Sequence, residues 1–128
     1  MNTKTTAGVS VSVRSTYEEE LSKPTDDQFV FSFDVQIDNW TNDEVKVLAR
    51  KLFVRDVIGG NREITGKGVG GKQPIISANN HFGYSSAVNL KNEIGRLSGF
   101  YVIENTRDKT RFQVEIPECD LYAPQVLN

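Results

Sequence analysis

Between Gln28 and Asn39 the chain alternates without a break: Phe29, Phe31, Phe33, Val35 and Ile37 are separated by Val30, Ser32, Asp34, Gln36 and Asp38. A two-residue apolar period places those five side chains on one face of a strand and leaves the other face wet. Val9, Val11 and Val13 alternate with serines ahead of Arg14 and predict a first strand. Beyond a turn at Trp40 to Asp43, the segment Glu44 to Val57 predicts a third. There the alternation slips phase between Val47 and Leu48, which a bulge or a strand apolar on both faces explains. A Gly-Gly turn at Ile58 to Asn61, a short strand at Arg62 to Thr65 and a glycine-rich loop closed by Pro74 follow. Further strands are predicted at His81 to Leu90, Leu97 to Asn105 and Thr110 to Ile116, the last two joined as a hairpin by Asn105 to Lys109. Tyr17 to Leu21 can make one helical turn, and no window sustains a helical repeat. About seven short strands joined by polar turns predict an all-β, antiparallel two-sheet sandwich, with a small barrel as the alternative.

Composition agrees. Valine and isoleucine total 22 residues against 12 for alanine and leucine, a bias toward side chains that suit a pleated surface. Leu, Ile, Val and Phe supply 36 of 128 residues, enough for one folded domain spanning 1–128 and no second core. A lone cysteine, Cys119, excludes an internal disulfide, and with no signal-peptide pattern in Met1 to Thr6 it points to a cytoplasmic protein. No apolar run approaches the ~18 residues that cross a bilayer. A net charge of -2 gives no general attraction to nucleic acid or anionic membranes, although Arg50, Lys51, Phe53 and Arg55 lie together.

Residues Gly66-Lys67-Gly68-Val69-Gly70-Gly71 match the G-x-G-x-x-G string of dinucleotide-binding folds. That mechanism needs a parallel strand before the string and a helix after it, and Pro74 and the following β pattern deny the helix. Six of the ten glycines fall between Gly59 and Gly71, so composition alone produces the spacing. The string then reads as a tight loop needing positive φ, or as a nest of backbone N–H groups for an anion beside Lys67 and Lys72. Gly83-Tyr84-Ser85-Ser86-Ala87 lacks the strand-to-helix turn of a nucleophile elbow, and His81 lies about 13 Å along the strand from Ser85. One His and one Cys cannot make a zinc site, Asp34 and Asp38 are too far apart to share a cation, and Glu18, Glu19, Glu20, Asp26 and Asp27 read as a solvated loop. Phe100-Tyr101-Val102-Ile103 and Leu52-Phe53-Val54 are apolar on both strand faces. Either one face is a contact surface, or it is covered by a loop or by the C-terminal Leu121, Tyr122, Val126 and Leu127.

The order of these segments resembles the ApaG family, small bacterial proteins whose fold also occurs as a domain in some eukaryotic F-box proteins and a polymerase-associated protein. The resemblance runs from Val9 to Pro124. It rests on Val9, Val11, Val13, Ser15 and Tyr17, the Phe31 to Asn39 strand, Arg50, residues 66–71 with Pro74, then Tyr84, Ser86, Gly95, Gly99, Tyr101, Phe112, Val114, Ile116 and Pro117. The chain departs from the family pattern at Leu52, usually tryptophan, at Gly70, usually valine, at Cys119, and at Ala78-Asn79-Asn80. The resemblance implies a fibronectin-type-III or immunoglobulin-like sandwich with no established catalytic activity. It also implies an indirect association with cobalt and magnesium handling, a glycine loop proposed to bind pyrophosphate or nucleotide, and protein recognition in the eukaryotic relatives.

The expected function is a non-enzymatic, cytoplasmic interaction domain that presents Leu52, Phe53, Phe100, Val102 and the glycine loop to a partner protein. The alternative is a small-ligand module that binds pyrophosphate or nucleotide through Gly66, Lys67, Gly68, Gly71 and Lys72; a hydrolase lacks an identifiable base. No metal, cofactor, nucleic acid or membrane insertion is expected. The sequence fixes neither the partner nor the oligomeric state, a homodimer included.

Overall fold

The computed structural model describes residues 2–124, so Val126 and Leu127 lie outside the described residues. Nine strands follow one another: β1 (Asn2–Thr6), β2 (Val9–Tyr17), β3 (Phe29–Asn39), β4 (Val45–Asp56), β5 (Arg62–Lys67), β6 (Ile75–Ile76), β7 (His81–Leu90), β8 (Ile94–Asn105) and β9 (Arg111–Tyr122). One sheet has the order β1-β2-β3-β7 and the other β5-β4-β8-β9, with β6 pairing β4 beside β5. All pairings are antiparallel. The two sheets form the sandwich that the alternation predicts. Helical geometry among the described residues is confined to 3-10 turns at Glu19–Leu21, inside the predicted helical turn, and Pro24–Asp26, and to Pro124.

The core is made by the alternating faces. Phe29, Phe31, Phe33, Val35 and Ile37 of β3 are buried with Val9, Val11 and Val13 of β2 against Val45, Val47, Leu52 and Val54 of β4. Leu97, Tyr101 and Ile103 of β8 complete the layer with Val114, Ile116 and Leu121 of β9. Tyr17 packs on Phe31 with ring centroids 5.4 Å apart.

The phase slip in β4 is a bulge. Val47 pairs with Ile103 and Ala49 with Val102, so Leu48 is an extra residue with no partner in β8. Such an insertion exchanges the two faces of the strand beyond it. A second bulge lies in β9, where Leu97 faces Cys119 but Gly99 faces Ile116. Pro117 sits in that interval, where a residue without an N–H interrupts no ladder bond. Gly99, at φ 148°, has Lys51 O within 2.0 Å of where a Cβ would lie, so only glycine fits there.

Three departures from the sequence reading have physical causes. Strand β1 carries no apolar face; its Thr3 and Thr5 hydroxyls bond Ser12 and Ser10 at 2.9 and 2.7 Å, and a two-residue turn at Ala7 and Gly8 (φ 52° and 82°) joins it to β2. Strand β5 runs on to Lys67, so Gly66 and Lys67 belong to a strand and the tight loop begins at Gly68. Strand β9 continues past Pro117, so Leu121 and Tyr122 are strand residues rather than a tail.

Asn39, fully buried at the end of β3, donates to Asp43 O and Ile76 O at 2.8 and 3.0 Å and accepts from the Thr41 amide and hydroxyl at 3.0 and 2.7 Å. It therefore ties β3 to the following turn and to β6. Asn39→Ala should destabilise the domain by about 2 kcal/mol or more, read by urea unfolding, because several groups lose their partners at once.

In the turn beyond Asn39, the half-buried Asp43 carboxyl is held below its ordinary 3.8 by hydrogen bonds from Arg107 and Asn105 and by the Arg107 charge. A depressed folded value contributes stability that is complete above 3.8 and is lost as the pH falls through the folded value. The stability difference between the wild type and Asp43→Asn should accordingly shrink toward zero as unfolding is measured from neutral pH down to below 3.8.

Candidate functional site

On the outer face of the larger sheet the β4 bulge brings Lys51 and Phe53 outward, opposite Phe100 and Ser98 of β8. The Phe53 and Phe100 rings lie 6.2 Å apart and tilted, with Phe53 36% exposed and Phe100 and Val102 half-buried. Lys51 Nζ stands 5.6 Å over the Phe53 ring while pairing with Glu63 at 3.3 Å. Two cavities flank Phe53. One, of about 650 Å³, lies among Arg55, Arg62, Glu63, Arg96 and Glu118; the other, of about 330 Å³, lies among Lys4, Phe100, Gln113 and Glu115. Phe53, Phe100 and Val102 thus share one surface. Leu52 does not: its side chain is 3% exposed and part of the core, because the residue beside Phe53 in a strand points the other way.

The glycine loop leaves the edge of β4 at the bulge. The amides of Gly68, Val69, Gly71 and Lys72 donate to the carbonyls of Leu48, Lys72, Lys67 and Val69 at 2.8, 2.7, 3.1 and 3.1 Å. Gln73 Nε2 also donates to Leu48 O at 3.1 Å, and the Val47 amide to Pro74 O at 3.0 Å. Four of the loop's amides are therefore bound within the chain. Gly68, Gly70 and Gly71 have φ of 55°, 59° and 83°, whereas Gly66 is in ordinary strand conformation. A Cβ on Gly68 would sit 1.8 Å from Lys72 O; on Gly71 it would meet nothing within 4 Å. Lys67 and Lys72 are exposed.

Between the sheets lies a polar cluster that belongs to no sequence motif. Beyond the bulge Arg50 pairs with the inward-facing Tyr101 on one side and with Gly66 on the other. Its Nε is buried with no hydrogen-bond partner. The Tyr101 and Tyr84 hydroxyls are hydrogen-bonded to each other across the sandwich. Burial, then the neighbouring Tyr84, pushes the Tyr101 phenol far above its ordinary value, and the nearby Arg50 charge opposes that rise. The signal was in the pattern, since counting inward positions back from Leu52 and Val54 reaches Arg50.

His81 and Ser85 share the outer face of β7 and are both exposed, but Ser85 donates to Asp34 Oδ1 at 2.5 Å, and Asp34 also pairs with Arg14 at 3.3 Å. The Ser85 bond, then that from Arg14, lowers the Asp34 carboxyl below its ordinary value. Among the described residues no three His, Cys, Asp or Glu side chains are grouped to hold a metal, and no helix is long and apolar enough to cross a membrane.

The loop geometry separates its glycines. Gly71→Ala should cost about 1 kcal/mol from its positive φ, and Gly68→Ala more than about 2 kcal/mol because the clash is with backbone. Lys67→Ala and Lys72→Ala should stay within about 0.5 kcal/mol of wild type in the same denaturation experiment.

The ApaG domain model matches residues 19–105. Protein ApaG of Proteus mirabilis is 30% identical over 124 residues, covering 97% of this chain and 98% of that protein. Protein ApaG of Methylobacterium radiotolerans is 34% identical over 121 residues, covering 94% and 92%. A crystal structure of a Bordetella pertussis protein described as ApaA superposes with a TM-score of 0.86 at 32% identity, over 91% of this chain and 94% of that one. Matched in sequence along nearly its whole length and in the arrangement of both sheets, the chain belongs to the ApaG domain family.

Proposed function

We propose that the chain is a non-enzymatic protein-interaction module whose contact surface is the outer face of the larger sheet. The observation that carries this reading is the outward-facing pair of an exposed Phe53 and a half-buried Phe100 on the two central strands of that face, with charged side chains around it. Recognition surfaces have this composition: aromatic anchors inside, a polar rim outside, and cavities into which a partner's side chains can descend. Leu52 is withdrawn from the set, leaving Phe53, Phe100 and Val102. The module works in the cytoplasm, and its link to cobalt or magnesium handling runs through its partner.

Binding of pyrophosphate or nucleotide at the glycine loop has weaker support, because four amides that would form the nest are already bonded to carbonyls. Hydrolysis has weaker support, because the Asp34 carboxylate that accepts from Ser85 also pairs with Arg14 and is held below its ordinary value, which makes it a poor base.

Capture from cell lysate with wild type and with a Phe53→Ser/Phe100→Ser double variant tests the reading. Proteins retained by the wild type should fall at least about tenfold on the variant, the loss expected when aromatic anchors are removed. The variant's far-ultraviolet circular dichroism should be unchanged. Equal retention by both proteins would exclude this face as the contact surface.

A further inference from the structure

We propose that Arg50, with the hydroxyls of Tyr84 and Tyr101, forms a binding site for a single small oxyanion, a phosphate or carboxylate group, that enters the sandwich between β5 and β7. The site lies on the opposite face of β4 from Phe53 and stands apart from the interaction surface proposed above.

The first support is an imbalance of donors. Arg50 is half-buried: its Nε is covered without an acceptor, while its terminal nitrogens are not covered, and the guanidinium has no ion pair or hydrogen bond among the described residues. A guanidinium carries five N–H donors and no acceptor. The two tyrosines make it worse: their hydroxyls share one hydrogen bond, so one of the two O–H protons remains to be given away. A covered cationic N–H with no partner is costly, and an aliphatic residue would be cheaper at an inward position in phase with Leu52 and Val54. The group that complements this cluster carries negative charge and several acceptor oxygens, and Arg binds such groups through paired N–H bonds.

The second support is access. Strands β5 and β7 end their respective sheets, while β1 and β2 pack against β9 on the other side. The open side is bridged by Arg62, which donates to Asn89 O at 2.5 Å. Directly beside Arg50 stands Gly66, where an added Cβ would meet nothing within 4 Å. Open space therefore adjoins the strand beside Arg50 at the β5–β7 margin, where Gly66 is exposed. Lys67 faces outward with Ala49 and is not part of the site.

The Arg50 Nε–Hε cross-peak of nitrogen-15-labelled protein reports on this atom directly. It is titrated separately with sodium phosphate and sodium acetate, holding ionic strength constant with sodium chloride. A saturable shift with a dissociation constant of about 1 mM or tighter is expected for at least one anion, and which one responds identifies phosphate or carboxylate as the group. Gly66→Val fills the opening without backbone strain and should weaken that binding at least tenfold while leaving the backbone spectrum elsewhere in place. Arg50→Lys keeps the charge but removes Nε and the fork, and should lose binding read at the Tyr101 and Gly66 amides. Absence of a saturable Nε shift with both anions overturns the proposal in the wild-type protein itself, whatever the variants do. So does binding that is unchanged in Gly66→Val, or shifts confined to the amides of residues 68–72.

Discussion

Leu48 is inserted in β4 opposite no residue of β8, and every side chain after it changes face as a result. With an uninterrupted alternation from Val45 and Val47, the next inward residues would be Ala49, Lys51, Phe53 and Arg55, which would place two uncompensated charges in the core. The extra residue instead directs Arg50, Leu52, Val54 and Asp56 inward and presents Lys51 and Phe53 to solvent. It also frees the Leu48 carbonyl from the ladder to receive the Gly68 amide and the Gln73 side chain. The hydrophobic core, the outward-facing aromatic pair and the anchorage of the glycine loop thus rest on one local irregularity.

The buried polar groups fall into two kinds. Asn39 uses both its donor and acceptor atoms on neighbouring chain, and Asp56, 3% exposed, accepts from the amides of Ile58, Gly59 and Lys91 at 3.1, 3.0 and 2.7 Å. Both hold turns in place and are saturated by doing so, which is the condition for a polar side chain to be tolerated inside. Arg50 is different: it is half-buried, and its covered Nε–H meets no acceptor among the described residues. A residue in that state is better explained by something it meets than by the fold that contains it.

Much of the fold was legible because β3 and β7 alternate cleanly, so their ends were placed within one residue. Strand β1 was invisible because its partnership with β2 is a ladder of Thr and Ser hydroxyls rather than an apolar face. Pro117 concealed the second half of β9: proline reads as a terminator, and only the pairing of β8 with β9 supplies the bulge that accommodates it. The run Leu52-Phe53-Val54 announced its two-sided character, but deciding which members are outside required knowing where the β4 phase slip lands. The same uncertainty hid Arg50, which local composition grouped with Lys51 and Arg55 although it faces the opposite way. The glycine string misled in its first half, since Gly66 and Lys67 continue a strand.

The packing of β1 and β2 on β9 makes the sandwich asymmetric in its mechanics. That long side is sewn by side-chain contacts and by Asn2, whose amide donates to Glu118 O at 2.7 Å, so it behaves as the spine of a book. Across the opposite margin the described ties are the Tyr84–Tyr101 pair, the Arg62 bridge to Asn89, the Lys91 amide on Asp56 and the Asn39 amide on Ile76 O. Among the described residues the fore-edge is held by side chains alone, with no strand of one sheet packed backbone-close on a strand of the other. Water outside the sandwich is therefore nearest to the interior at the half-buried Tyr84, and farthest from it at Val9, Val11 and Val13 of β2, which are fully covered.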